Sequence, residues 1–289
     1  MFGYFIELLK YIILGIVQGL TEVIPISSSG HVAITQMILQ IEAEQGILFL
    51  IFVNLGSLAA IVIHFRKFVF RLIESFLVYL FKPSKRPVLH DDFDYAMKIV
   101  VASIPAGIAG FFFADYLDAF YQDYTLVVVG VGLLITATVL YTVRNASYVN
   151  GTQKISYKDA LAIGTGQMFA IIPGLSRSGM TTSTGLLRKL SMETVLIFSF
   201  MLYIPISLGS IFKYFLEYLI DPSSFTLGFD VGEPIHYLYF LIAAIFSFLA
   251  TLFSLKYIFV MFRRGKLIIF SIYTFILGLG AFMYGIFTL

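Results

Sequence analysis

The chain has 289 residues, 59% of them hydrophobic and only 12% charged, with a mean hydropathy of +0.93 and a net charge of +2. That composition is too apolar for a soluble domain and indicates an integral membrane protein. The absence of cysteine excludes disulfides, thiolate catalysis and Cys-ligated metal.

Apolar stretches of helical length recur along the whole chain and none alternates as a barrel strand would. The expected fold class is therefore all-α, a helical bundle in a single membrane domain covering 1–289. The N-terminal run carries Glu7 and Lys10 and has no small-residue cleavage pattern, which marks it as a retained first helix. Residues 5–39 are apolar but broken midway by Pro25 and a polar cluster, and so read as a re-entrant hairpin. A crossing is expected at 47–64. Residues 66–81 carry four charges in an apolar run and suit an interfacial helix, with a cytoplasmic loop at 82–94. Crossings at 97–114 and 125–143 follow, separated by a loop near 115–123 that holds Asp115, Asp118 and Asp123. A second hairpin at 158–188 is broken at Pro173, and crossings at 194–213, 236–256 and 267–288 complete the chain. The count is about six spanning helices plus two re-entrant hairpins.

Loop charges orient this arrangement. Arg66, Lys67, Arg71, Lys82, Lys85 and Arg86 precede one crossing, and Arg144, Lys154 and Lys158 follow the next two, so these loops belong in the cytoplasm of a multi-pass protein of the cell membrane. The acidic stretches near 115–123 and 217–233 belong outside. Topology thus accounts for the basic loops, and nothing in them points to nucleic acid. The first hairpin then enters from the external face and the second from the cytoplasmic one.

Opposed hairpins suggest an internal repeat, and one emerges when "GIVQGLTEVIPISSSG" is laid over "GTGQMFAIIPGLSRSG". Gln18 and Gln167, Ser27 and Ser176, Ser29 and Ser178, and Gly30 and Gly179 are each 149 residues apart. Repeat one would run over about 5–143 and repeat two over about 158–288, with inverted topology. Inverted repeats with broken helices place a polar site near the midplane, where the breaks meet.

The breaks supply Gln18, Glu22, Ser27, Ser28, Ser29 and His31 from one hairpin and Gln167, Ser176, Arg177, Ser178, Thr181 and Thr182 from the other. Ionisable groups at membrane depth are costly, so Glu22, His31 and Arg177 are expected to be close together and functional. Gly30 and Gly179 beside hydroxyls at helix starts, together with a guanidinium, form a receptor for phosphate oxygens. Glu22 could hold Mg²⁺ or Ca²⁺ against a diphosphate. A buried structural Glu22–Arg177 pair, and helix capping by the serines, are the plainer alternatives.

"QGLTEVIPISSSGH" and "PGLSRSGMTT" resemble the two signatures of the undecaprenyl-diphosphatase family, known for bacitracin resistance, and the likeness spans nearly the whole chain. The resemblance implies a membrane phosphatase that removes the terminal phosphate of a long polyprenyl diphosphate, regenerating a monophosphate carrier for surface-glycan assembly. It also implies inverted repeats and an active site open to the external face. The family's paired acidic positions fall on Gln18 and Glu22, its histidine on His31, its candidate serine nucleophile on Ser28 and its arginine on Arg177. Ser176, Ser178 and Thr181 would complete the phosphate pocket. Two departures stand out: Gln18 replaces a glutamate common in relatives, and Ile197 stands where a glutamate is expected before "FSF".

On this reading the catalytic set is Glu22, Ser28, His31 and Arg177. Gln18, Ser27, Ser29, Gly30, Gly174, Ser176, Ser178, Gly179 and Thr181 bind substrate, and Glu22 holds a divalent cation. The phosphoryl acceptor is open among Ser28 with His31 as base, His31 itself and an activated water. A polyprenyl-phosphate flippase is the competing reading, because carriers use the same architecture. The partners expected are the lipid substrate, the bilayer and a second copy of the chain.

Overall fold

The computed structural model describes residues 2–41, 46–146, 151–220, 235–263 and 267–288. Among them lie ten α-helices: α1 (Phe2–Glu22), α2 (Ser28–Ile38), α3 (Gly46–His64), α4 (Arg66–Phe81), α5 (Arg86–Thr142), α6 (Tyr157–Met168), α7 (Arg177–Leu187), α8 (Met192–Ile220), α9 (Ile235–Arg263) and α10 (Leu267–Thr288). Six stretches are long and apolar enough to cross a membrane: Gly3–Glu22, Pro83–Phe113, Thr125–Thr142, Met192–Glu217, Tyr237–Phe262 and Leu267–Thr288. A seventh appears if α3 and α4, bent by 83° at Phe65, count as one span. The protein is an all-α, multi-pass membrane protein.

Three expectations change. The first hairpin is asymmetric: α1, 21 residues long, reaches about 31 Å and can cross by itself, whereas α2, with 11 residues, reaches only about 16 Å. Glu7 and Lys10 do not interrupt α1 because they pair with each other at 2.9 Å. The second hairpin has two short arms, α6 and α7. The expected loop at 82–94 is a single 3₁₀ turn, Pro83–Lys85, followed directly by α5. Its prolines occupy first-turn positions, where the missing N–H has no intrahelical partner to lose. No loop interrupts the backbone at 115–123, which is helical from 86 to 142. The expected crossing at 47–64 is met by α3, 19 residues long and almost wholly apolar. The acidic loop expected at 217–233 lies largely outside the described residues, which resume at 235.

The unbroken α5 cannot be straight. In its second half Thr136 Oγ1 accepts from the Ser176 N–H at 3.0 Å. In its first half the Tyr95 ring packs edge-on against Phe198 at 5.8 Å, beside Ser199, whose carbonyl accepts from Arg177 at 3.3 Å. A straight helix would hold Thr136 and Tyr95 about 60 Å apart. The axis therefore turns back, its second half reaching the break before α7 and its first half packing on α6 and α8.

Helices approach one another through small residues, as expected where lipid leaves no hydrophobic force between them. A Cβ at Gly15 would overlap the backbone of Ala243 on α9, and one at Gly164 would overlap Ala102 on α5. Hydroxyls bridge the same contacts: Ser57 and Ser247 are 2.9 Å apart, and Thr251 donates to the Gly19 carbonyl at 3.2 Å. An apolar cluster including Val23, Ile26, Ile61, Leu140, Phe200 and Leu255 packs beside the first break.

Candidate active site

Two broken helices meet head to head. After α1 the chain turns through Val23–Ile26, and Ser27 caps α2 by accepting from the Gly30 N–H at 3.2 Å. After α6 and a 3₁₀ turn, Phe169–Ile171, the chain passes Gly174, and Ser176 caps α7 by accepting from the Gly179 N–H at 3.0 Å. The two caps are the same device at matched positions. Gly174 has φ +86°, and a Cβ there would run into the Val129 backbone, so both conformation and space demand glycine. The breaks are tied across by Ser178 Oγ, which donates to the Ile24 carbonyl at 3.1 Å, and by the Gly174 N–H, which donates to Ser29 Oγ at 3.4 Å.

Between them lies a cavity of about 150 Å³ lined by Glu22, Ser28, Ser29, Ala170, Leu175, Ser176, Arg177 and Ser178. The N-termini of α2 and α7 both form its wall, and the first amides of a helix have no intrahelical acceptor. Their partial positive charge, with the Arg177 guanidinium, suits an anion such as phosphate.

Glu22 is the hub. Its Oε1 accepts from Arg177 Nη2 at 2.6 Å, and its Oε2 accepts from Ser28 Oγ at 2.6 Å and from Gln18 Nε2 at 2.8 Å. Gln18 also donates to Asn54 Oδ1 at 2.9 Å. The Glu22 and Arg177 side chains are only 7% and 14% exposed, so the pair is largely desolvated and depends on these surrounding hydrogen bonds. Arg177 is further fixed by the Ser199 carbonyl and by the Tyr203 ring, 4.1 Å beneath its guanidinium. Thr181 supports this arm from behind, its hydroxyl 2.6 Å from that of Ser199.

The structure thus brings Glu22, Ser28, Ser29, Ser176, Arg177 and Ser178 to one cavity and places Gln18, Ser27, Gly30, Gly174, Gly179 and Thr181 immediately behind it. His31 is elsewhere: it does not line the cavity, its Nδ1 lies 2.7 Å from the Ser27 carbonyl, and its Nε2 lies 2.8 Å from Tyr273 Oη. Gln167 and Thr182 are buried with no hydrogen-bond partner for their side-chain polar atoms among the described residues. Ile197 packs against the apolar cluster rather than forming a cavity wall.

Glu22 alone would hold a divalent cation from the protein side. Glu22 is the one carboxylate lining the cavity, both of its oxygens already accept from donors, and the described residues contain no group of three His, Cys, Asp or Glu placed to hold a metal. A hard divalent ion at this place would take its remaining oxygens from the substrate's phosphates and from water.

Sequence reasoning missed Asn54, Thr136, Ser199, Tyr203 and Tyr273. Asn54 left a readable signal, a lone amide inside the apolar run of α3. Ser199 and Thr136 are ordinary small residues of membrane helices, and the two tyrosines are among 18 in the chain.

Comparison with known proteins bears on this site. The family model described as "Bacitracin resistance protein BacA" matches residues 11–280. Undecaprenyl-diphosphatase 1 of Bacillus licheniformis is 38% identical over 280 residues, covering 97% of this chain and 99% of its own length. Undecaprenyl-diphosphatase of Oceanobacillus iheyensis is 39% identical over 277 residues, 96% of each chain. That of Acholeplasma laidlawii is 36% identical over 284 residues, again 96% of each.

Proposed function

Because the chain belongs to the Bacitracin resistance protein BacA family, whose members include enzymes named undecaprenyl-diphosphatase, we propose that it removes the terminal phosphate of undecaprenyl diphosphate within the membrane. The observation that carries the chemistry is the 2.6 Å hydrogen bond from Ser28 Oγ to Glu22 Oε2 in the wall of a cavity that also presents Arg177. A hydroxyl aimed at a carboxylate is poised to lose its proton, which a lipid carrier has no use for.

The terminal phosphate binds between the two helix starts, where Arg177 and the free amides of α2 and α7 meet its oxygens. Binding draws Arg177 from Glu22 towards the phosphate and frees the carboxylate to act as a base. Ser28 Oγ attacks the terminal phosphorus while Glu22 Oε2 takes its proton. The bond from that phosphorus to the bridging oxygen breaks, and undecaprenyl monophosphate departs. Glu22 passes the proton it took to that departing oxygen and, ionised again, takes a proton from the water that cleaves the phosphoserine; the proton returns to Ser28 Oγ as inorganic phosphate leaves. Fixed donors oppose the charge that develops, so most of the catalysis is electrostatic positioning.

We further take the two hairpins as copies of one unit in inverted repeats, and the cavity as opening to the external face. The matched caps of α2 and α7 and the basic turn between α4 and α5 support these readings.

Phosphate release from undecaprenyl diphosphate by purified protein in detergent tests the proposal. Arg177→Ala should lower kcat about 100- to 1000-fold. Ser28→Ala and Glu22→Gln should lose comparable activity, and acid-quenched wild type should carry a phosphoserine at position 28. A folded Arg177→Ala with near-normal turnover would refute the cradle. A Ser28→Ala that still turns over would refute the serine as acceptor.

A further inference from the structure

His31 is the one expected catalytic residue that the fold keeps away from the cavity, and both of its ring nitrogens are occupied. Nδ1 lies 2.7 Å from the Ser27 carbonyl oxygen, which can only accept, so Nδ1 bears the proton. In the neutral imidazole Nε2 then carries the lone pair, and Tyr273 Oη, 2.8 Å away, is its donor. The two rings stack at 5.6 Å with an interplanar angle of 18°. Neither nitrogen bonds the Ser28 hydroxyl, which is already committed to Glu22.

What the imidazole does hold is an unusual peptide. Ser27 has φ +70° and ψ +97°, a conformation that residues other than glycine rarely adopt. Such a backbone persists only where its surroundings over-determine it. Three contacts do so here. Ser27 Oγ accepts from the Gly30 N–H at 3.2 Å, the Ser27 carbonyl accepts from the His31 N–H at 3.2 Å, and the same carbonyl accepts from His31 Nδ1. The peptide so fixed joins Ser27 to Ser28, and its orientation sets where the Ser28 amide and side chain enter the cavity. Tyr273, half exposed on α10, is not needed to fill a core; its hydroxyl is what reaches His31.

We infer that His31 and Tyr273 are positioning residues for Ser28: Tyr273 fixes the imidazole tautomer, and His31, through Nδ1–H, holds the Ser27 carbonyl that aims the nucleophile. This rests on the proposed phosphatase reading for its kinetic consequences but not for its geometry. It differs from a base or nucleophile role in one decisive way, because asparagine can reproduce the Nδ1–H donor without supplying an ionisable imidazole.

The test compares His31→Asn, His31→Gln, His31→Ala and Tyr273→Phe in the full chain in detergent, each shown to be folded by its thermal melt. Two readouts are taken: turnover of undecaprenyl diphosphate, and the ¹⁵N NMR shifts of the histidine ring. Positioning requires His31→Asn to stay within about tenfold of wild type, while His31→Gln and His31→Ala fall about 100-fold, the scale of a misplaced reacting group. Tyr273→Phe should lower kcat about three- to tenfold with KM unchanged, as expected for one lost hydrogen bond. The ring spectrum should show His31 neutral with its proton on Nδ1, and Tyr273→Phe should shift its Nε2 resonance. A His31→Asn as inactive as His31→Ala overturns the inference, and so does a proton on Nε2. A Tyr273→Phe indistinguishable from wild type in kcat and spectrum removes Tyr273 from it. If wild type itself releases no phosphate, the phosphatase reading fails, and the tautomer still decides the inference.

Discussion

Gln18 and Glu22 lie one helical turn apart, and the pair shows how a single amide sets the character of a site. Gln18 Nε2 donates to Glu22 Oε2 and to Asn54, so it stabilises a lone carboxylate in a largely desolvated place. A glutamate at position 18 would put two carboxylates at hydrogen-bonding distance, where both cannot stay ionised without a shared proton or a cation. Gln18→Glu should therefore increase dependence on Mg²⁺ or Ca²⁺: in chelator its phosphate release should fall at least about tenfold further than that of wild type, an interaction of about 1.4 kcal/mol or more, and recover when the ion is restored. Chelator titrations of the two proteins, run side by side, check this, and equal sensitivity would contradict it. At this scale the sequence was readable wherever chemistry was improbable in lipid. Glu22 and Arg177 declared themselves as charges in apolar surroundings, and the serines by their clustering. Ser199, Tyr203 and Tyr273 could not, because serine and tyrosine are commonplace in membrane helices and only the packing of distant segments gives them partners. His31 stands out in the sequence as an ionisable group beside a break, but its contacts with the Ser27 carbonyl and Tyr273 come from packing that sequence does not display.

Among the elements, hairpin breaks were legible because proline and clustered polar residues cannot continue a lipid-exposed helix. Lengths and turns were less so. The charged stretch at 82–94 suggested a loop, yet its prolines suit the start of a helix, and α5 begins there. The acids near 115–123 suggested a break, yet helical backbone continues through them. Charge says where a segment prefers water; it does not say that the helix ends. Close approach offers a quantitative test. Gly15 on α1 and Gly164 on α6 are 149 residues apart, like the matched residues of the two breaks, and each meets the backbone of a partner helix, α9 or α5. If these are equivalent contacts, Gly15→Ala and Gly164→Ala should each cost about 1–3 kcal/mol through forced separation of the helices. Thermal unfolding in detergent measures this. A drop in one variant with no change in the other would separate the two contacts and weaken the repeat.

At the level of the whole molecule, the loop charges decide which side of the membrane the cavity faces. The turn joining α4 to α5 is fully exposed and carries Lys82, Lys85 and Arg86, a cluster that the positive-inside rule assigns to the cytoplasm. The cavity faces outward only if α1 carries the chain across so that the α2 end of the first hairpin opens externally. Because the chain contains no cysteine, single thiols report position without background. Ala170→Cys lines the cavity, and Ser84→Cys lies in the basic turn. In intact cells a membrane-impermeant maleimide should label Ala170→Cys and spare Ser84→Cys, while in inside-out vesicles Ser84→Cys should become the faster of the two. Inorganic pyrophosphate should slow labelling at Ala170→Cys by occupying the phosphate cradle, and should leave Ser84→Cys untouched. The opposite labelling pattern would place the cavity on the cytoplasmic side and reverse the orientation drawn from the basic loops. Protection of Ala170→Cys in either orientation would still locate diphosphate binding between the two helix starts, so the side of the membrane and the identity of the site are decided separately.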